Sequence, residues 1–293
     1  MRKNIKEYEK FATFILSHGR SNNVITYNTL RRQKYTGKIY IIIDDEDQTI
    51  EEYKKLYKDE VIVFNKQLAI DMTDSADVLN KRNSVVYARN YAYKIAEQLG
   101  LDCFLVLDDD YSTFTNSFDN DRNYITKNVL IKNLDNYFIS MIRFLNHSNA
   151  DCVAMSQGGD YIGGASSKVA ALHTQGKLSR KAMNAFFLKT SKPLVFSGRI
   201  NEDVNMYINE GSVGKIIFTY PRMRLEQKQT QKNSGGLTDI YLDVGTYVKS
   251  FYSILYQPSC VRLMMMGVKN KRIHHKVFWK SAVPLIISEQ FKK

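Results

Sequence analysis

Leu105-Val106-Leu107-Asp108-Asp109-Asp110 is an apolar run that stops in three carboxylates, and its surroundings decide how the chain folds. Adjacent carboxylates repel one another unless solvent, a cation or a cationic side chain compensates them. Taken alone, the triplet fits a solvated turn after a strand and equally a site for a divalent ion. Upstream, Ser84 to Ala96 and on to Leu99 carries apolar residues at 85, 88, 92, 95, 96 and 99, the spacing of an amphipathic helix. Leu99-Gly100 ends that helix before the strand begins. A helix bearing Arg89-Asn90, a glycine stop, an apolar strand and an Asp-x-Asp tip therefore follow one another in order.

Toward the N-terminus the same grammar repeats. Phe11-Ala12-Thr13-Phe14-Ile15-Leu16-Ser17 reads as a buried strand, His18-Gly19-Arg20-Ser21-Asn22 as a polar turn, and the residues through Leu30 to Arg32 as a helix. Lys38-Ile39-Tyr40-Ile41-Ile42-Ile43 is a second strand, and it too ends in acids, Asp44-Asp45-Glu46-Asp47. Strand, helix and strand imply a parallel crossover with ligands beyond the carboxyl ends of the strands, which puts both acid clusters on one rim. Glu51 to Tyr57 reads as a helix, Val61 to Phe64 as a short strand, and Asp71 to Asn83 as a polar loop.

In the second half, Asn116 to Asn128 reads as a polar surface loop and Ile139 to Leu145 as the end of a helix. Cys152 to Ser156 is a strand leading into the glycine-rich turn Gly158 to Gly164, which lacks the Gly-Lys-Ser of a P-loop. Ala185 to Leu188 and Lys215 to Thr219 are further strands, and Thr238 to Tyr256 shows a helical stripe at 241, 244, 248, 251 and 255 with Thr238 as N-cap. Asn201-Glu202-Asp203 precedes an apolar pattern at Val204, Tyr207 and Ile208, so these acids stand at the start of a helix, where capping and the helix dipole would account for them. Lys271-Arg272-Ile273-His274-His275-Lys276 holds adjacent histidines in a basic stretch, and a strand would turn them to opposite faces. Arg222 to Gly236 is rich in Gln and Lys and closes on a Gly pair, fitting either a lid or a basic loop.

The bulk composition narrows the partners. With 42 Lys and Arg against 30 Asp and Glu, the formal charge is +12 and the partner expected is anionic: nucleic acid, a phosphorylated donor or an acidic membrane surface. Cys103, Cys152 and Cys260 lie in or beside apolar runs without metal-ligand pairing, as reduced buried thiols would. Met1 to Glu7 lacks the apolar centre of a secretion signal and no apolar stretch is long enough to span a bilayer, so a cytoplasmic protein without integral membrane association is expected.

Asp44-Asp45, Ala88-Arg89-Asn90, Leu107-Asp108-Asp109-Asp110, Glu202-Asp203 and the late His274-His275 together resemble a GT-A glycosyltransferase. More narrowly, with the Gln-Lys-Asn-Ser-Gly-Gly loop at 231–236, the chain resembles the TET-associated glycosyltransferases of bacteriophages, which add sugars to 5-hydroxymethylpyrimidines in DNA. The resemblance implies an α/β, Rossmann-like GT-A fold in a single domain over 1–293, a mixed central sheet flanked by helices, with 1–112 as the nucleotide-sugar half and 113–293 as the acceptor and catalytic half. It implies a UDP-sugar donor touched by Asp44, Asp45, Arg89, Asp108, Asp109 and Lys276, and Mn or Mg held by Asp110 with His274 or His275. Asp203 would be the base of an inverting transfer and Glu202 its neighbour at donor or acceptor, with Lys228, Lys232, Gly235 and Gly236 forming a lid over the acceptor. The acceptor implied is hydroxymethylated pyrimidine in DNA, 5-hydroxymethylcytosine first, in a host-cell cytoplasm if the gene is a phage's. Because a donor site of this depth cannot meet a stacked base, the target nucleotide is expected to be flipped or read from an opened strand. The alternatives are a glycosyltransferase of cell-surface polysaccharide synthesis, which shares the catalytic kit, and a basic nucleic-acid-binding protein without activity.

Overall fold

The computed structural model describes residues 6–77, 81–177, 182–183, 185–227, 245, 247–267 and 271–282. The first strands are apolar on both faces because helices cover both. β1 (Phe11–Leu16), β2 (Lys38–Asp44), β3 (Val61–Phe64) and β4 (Cys103–Asp108) run parallel. Between them come α1 (Ile25–Arg32), α2 (Ile50–Tyr57), α3 (Lys66–Asp71) and α4 (Val85–Gln98). Alternation along a strand splits the core: Phe14 and Val106 face α3 and α4, while Ile15 and Leu107 face α1 and α2. Gly100 closes α4 in the left-handed region at φ 65, as its position after the helical stripe requires.

The remaining strands are β5 (Tyr111–Phe118), β6 (Tyr124–Leu130), β7 (Cys152–Gln157), β8 (Ala185–Lys189) and β9 (Ile217–Gln227), with α5 (Leu134–His147), α6 (Lys168–Thr174) and α7 (Glu202–Ser212) between them. The sheet order is β3-β2-β1-β4-β8-β7-β9-β5-β6. β8 is antiparallel to both β4 and β7, β7 is parallel to β9, and β5 is antiparallel to β9 and β6. The sheet is thus mixed and flanked by helices, as the GT-A resemblance implied. Following the directions across it, the carboxyl ends of β1, β2, β4, β7 and β9 and the start of β5 share one rim. Leu16 pairs with both Ile42 and Asp108, so the two acid clusters stand level on that rim.

Two local expectations are corrected, and one helix is added. Asn116 to Asn128 is not a loop: it contributes to β5 and β6, and only 119–123 turns, tied by Asp119 accepting from the backbone N–H of Asp121 and of Asn123, each at 2.9 Å. Between β3 and the loop expected from Asp71 to Asn83 lies α3, which the sequence reading did not assign, capped by Asn65 accepting from Leu68 N–H at 2.9 Å. In α8 (Val248–Tyr256) the periodic residues Phe251 and Leu255 are exposed, while Ser250, Tyr252 and Ser253 pack inward. Thr238, its expected cap, lies outside the described residues. A separate antiparallel ribbon, β10 (Val261–Met266) and β11 (Arg272–Val277), follows α8. The three cysteines are free and buried, and no described helix is long and apolar enough to cross a membrane.

Candidate active site

The first acid cluster is compensated by cations of the protein itself. Asp44 is buried and accepts from His18 Nδ1 at 2.9 Å and Lys66 Nζ at 3.2 Å. Burial pushes its carboxyl up, but His18 and Lys66 outweigh that and hold it below the ordinary range. The same hydrogen bond raises His18 against the opposing effect of burial. Asp47 takes Gly19 N–H at 2.7 Å, exposed Glu46 pairs with Arg82 at 2.6 Å, and exposed Asp45 accepts from the Lys66 backbone N–H at 2.9 Å.

The triplet after β4 is compensated unevenly. Asp109 is buried, with Ser17 Oγ donating at 2.6 Å and Arg20 Nη1 at 2.7 Å; burial still holds its carboxyl above the ordinary range. Thr26 fixes the turn from beneath, donating its hydroxyl to the Asp108 carbonyl at 2.6 Å and accepting from Tyr111 N–H at 2.9 Å. Asp108 faces Arg89 Nη2 at 3.0 Å. Asp110 is half-buried, and burial together with the charges of Asp108 and Asp109 pushes it up to about 6.

Arg89 joins this triplet to α7. Its guanidinium is buried between the rings of Phe186 and Phe196, at 5.1 and 5.9 Å from their centroids. One nitrogen reaches Asp108, and Nη1 donates to Glu202 Oε1 at 2.5 Å. The adjacent Asn90 clasps Phe196, donating to its carbonyl at 2.8 Å and accepting from its N–H at 3.0 Å. The Arg-Asn pair thus works on two sides: Arg89 toward the carboxylates and Asn90 toward the strap before α7.

At the head of α7, Glu202 and Asp203 are both buried. Burial raises the Glu202 carboxyl while Arg89 opposes the rise. Asp203 accepts from Val204 N–H at 2.7 Å, which satisfies one of the helix's orphan donors. Asn201, at φ 62, makes no side-chain cap; its amide donates to Ser253 Oγ on α8 at 3.0 Å and lies 3.3 Å from His275 Nδ1. The ribbon therefore brings His275 to the head of α7. The His274 and His275 rings meet edge-on at 4.4 Å, and Lys276 Nζ lies over the Phe278 ring at 5.2 Å. Among the described residues no group of three or more His, Cys, Asp and Glu side chains stands as a metal shell. Lys228, Lys232, Gly235 and Gly236 lie outside the described residues.

Four rim residues escaped the sequence reading: Ser17, His18, Arg20 and Lys66. The available signal was position, since the turn after β1 leaves the carboxyl end of a parallel strand beside the switch point between β1 and β4.

Solved structures with a similar backbone course include glucosyl-3-phosphoglycerate synthase from Mycobacterium tuberculosis with Mn2+, UDP and phosphoglyceric acid, at 9% identity and TM-score 0.45 over 94% of this chain and 88% of that one. The mannosyltransferase PcManGT from Pyrobaculum calidifontis with GDP-Man and Mn2+ matches at 9% and 0.47, covering 83% and 64% of the two chains. GalNAc-T7 with UDP, GalNAc and Mn2+ matches at 13% and 0.47, covering 74% and 43%. This chain thus spans less than two thirds of the latter two. No curated protein matches the sequence. A family model described as TET-Associated Glycosyltransferase matches residues 11–236.

Proposed function

We propose, because this chain belongs to the TET-associated glycosyltransferase family, that it moves a hexose from a UDP-sugar to the hydroxymethyl oxygen of a 5-hydroxymethylpyrimidine in DNA, with 5-hydroxymethylcytosine as the first acceptor to test. The supporting observation is the buried Arg89 bridge, which ties the tip of β4 to the carboxylates at the head of α7. A transfer needs charge neutralised at the leaving diphosphate and a proton taken from the incoming hydroxyl, and the bridge holds residues suited to both at one rim.

In this reading 1–112 is the nucleotide-sugar half and 113–293 the acceptor half. Asp45, with Asp44 behind it, addresses the uncharged nucleoside, and Asp108 and Asp109 line the path to the sugar. Asp110, backed by Asp108, is the place for Mn2+ or Mg2+. The donor set fits such an ion: hard carboxylate oxygens at a rim where burial and then the charges of Asp108 and Asp109 lift Asp110 to about 6, with donor phosphates supplying the ligands that two carboxylates leave open. When bound, the ion offsets negative charge on the diphosphate. His274 or His275 approaches from the ribbon, Lys276 favours the diphosphate, and Lys228, Lys232, Gly235 and Gly236 close over the acceptor.

Asp203 takes the proton of the acceptor hydroxyl as its oxygen bonds to the anomeric carbon and the bond to UDP breaks, inverting that centre. Glu202, held by Arg89, fixes the head of α7 so that Asp203 meets the hydroxyl. The formal charge of +12 favours a polyanionic acceptor, and the target nucleotide leaves its stack to reach the rim.

The test is incubation with a panel of UDP-sugars and Mn2+ on duplexes carrying cytosine or 5-hydroxymethylcytosine, read by mass spectrometry of the nucleosides. A hexose gained only on 5-hydroxymethylcytosine, and lost in Asp203→Asn, is the expected result. Metal-dependent UDP release without any nucleoside gain would overturn the DNA acceptor and point to a glycan.

A further inference from the structure

Gly158-Gly159-Asp160-Tyr161-Ile162-Gly163-Gly164 leaves the carboxyl end of β7 on the reaction rim and has no part in the transfer described above. Gln157 pairs with Leu225, and a Cβ on Gly158 would lie 3.5 Å from Glu226 Oε2. The next residue of β9, Gln227, pairs with Tyr111, the neighbour of Asp110. The segment leaves the same rim of the sheet as the triplet.

The segment is braced at both ends. Gln157 and Asp160 form a reciprocal capping box, with Asp160 Oδ2 accepting from Gln157 N–H at 2.9 Å. Tyr161 is buried, its hydroxyl shared between Ser156 Oγ and the Pro221 carbonyl, its ring against Phe118 and Tyr124 and under the Arg224 guanidinium. Ser167 caps α6 by accepting from Ala170 N–H at 3.2 Å. Gly163, at φ 95, then turns the chain where a side chain would be strained. Between these anchors Ile162 is 80% exposed, more than any other exposed large hydrophobic side chain among the described residues. Exposed Lys168 follows at the start of α6.

A lone apolar side chain on a surface is ordinary. Ile162 differs in being held out by a braced loop on the rim that carries the acid triplet, with exposed Lys168 later in the same segment. Extruding a nucleotide leaves a gap in the base stack, and aliphatic side chains fill such gaps in bent or flipped duplexes. β-branching makes Ile stiff enough to hold its place there. We propose that Ile162 is the wedge that occupies the stack vacated by the target nucleotide, with Lys168 on a neighbouring phosphate. This inference rests on the DNA-acceptor reading.

Full-length wild type, Ile162→Ala and Ile162→Leu are compared, with a mixture of UDP-glucose, UDP-galactose and UDP-N-acetylglucosamine and Mn2+, on one 5-hydroxymethylcytosine oligonucleotide presented single-stranded and as a duplex with 2-aminopurine beside the target. The ratio of duplex to single-strand transfer should fall at least about tenfold in Ile162→Ala and stay within about threefold in Ile162→Leu. The 2-aminopurine fluorescence gained on wild-type binding should be lost in Ile162→Ala. An unchanged ratio in Ile162→Ala while wild type transfers to DNA overturns the wedge and leaves the acceptor reading standing. Wild-type UDP release with no transfer to either DNA form overturns the acceptor reading and the wedge with it. Ile162-dependent binding to phosphatidylglycerol vesicles with unchanged duplex transfer would assign the side chain to lipid and overturn the proposal.

Discussion

Asp44-Asp45-Glu46-Asp47 and Asp108-Asp109-Asp110 are two acidic tips of parallel strands on one rim, and they have opposite electrostatics. In the first, His18 and Lys66 hold Asp44 below its ordinary range. In the second, Arg20 reaches Asp109 and Arg89 reaches Asp108, yet Asp109 and Asp110 remain raised. A cluster balanced by its own cations suits hydrogen bonding to an uncharged nucleoside. One whose carboxyls burial and mutual repulsion keep raised suits a divalent ion and the diphosphate beside it. The difference lies in what the fold brings to the acids and is not visible in the acids themselves.

The largest expected effect separates the clusters directly. Asp110→Asn should lower transfer by about 10²–10³-fold, the scale of losing one preorganised charge-stabilising group, with the unfolding midpoint held or raised because a repelling charge is gone. Asp45→Asn should act through the KM for donor, as steady-state kinetics on both variants would show. Next comes the bridge. Arg89→Met leaves Glu202 buried without its cation and should cost about 3–5 kcal/mol in urea unfolding; a loss below about 1 kcal/mol would mean the bridge contributes little to holding the head of α7.

Smaller effects sharpen the first cluster. Lys66→Met should cost about 1–3 kcal/mol, and most of that should return when Asp44→Asn is added, because the two mutations share one interaction. His18 is 53% exposed, so solvent screening keeps its share below about 1 kcal/mol. The folded value of His18 lies above 6.5, so its stabilisation is complete below 6.5 and fades as pH rises through the raised value. The folded value of Asp44 lies below 3.8, so its share is present above 3.8 and fades as pH falls through the lowered value. The advantage of wild type over His18→Gln in thermal melts should therefore be widest between pH 3.8 and 6.5. A difference that does not vary with pH would remove the ion pair from the account.

What could be read from the sequence follows from burial. β1, β2 and β4 are covered on both faces, so their unbroken apolar runs, and the acids that end them, stood out. β5 did not, because Thr115 and Ser117 point into the interior as polar residues and interrupt the core signal of Tyr111, Phe114 and Phe118. The edge strand β6 exposes Val129 and Leu130, which gives it no buried face to read. Asp203 and Arg89 were nominated from motifs, but what pairs with the acids was out of reach: Arg20 meets Asp109 across 89 positions, His18 meets Asp44 across 26, and Lys66 reaches back 22. Such partners depend on which strands become neighbours, and local pattern does not carry that. The apolar stripe of α8 shows the converse, since its period was legible while the face that packs was the opposite one.

The most direct test of the division between the clusters is calorimetric titration of Mn2+ into the protein saturated with UDP, for wild type, Asp110→Asn and Asp45→Asn. Mn2+ binding by wild type and Asp45→Asn, and its loss in Asp110→Asn, is the predicted result. Undiminished binding by Asp110→Asn, or its loss in Asp45→Asn, would contradict it.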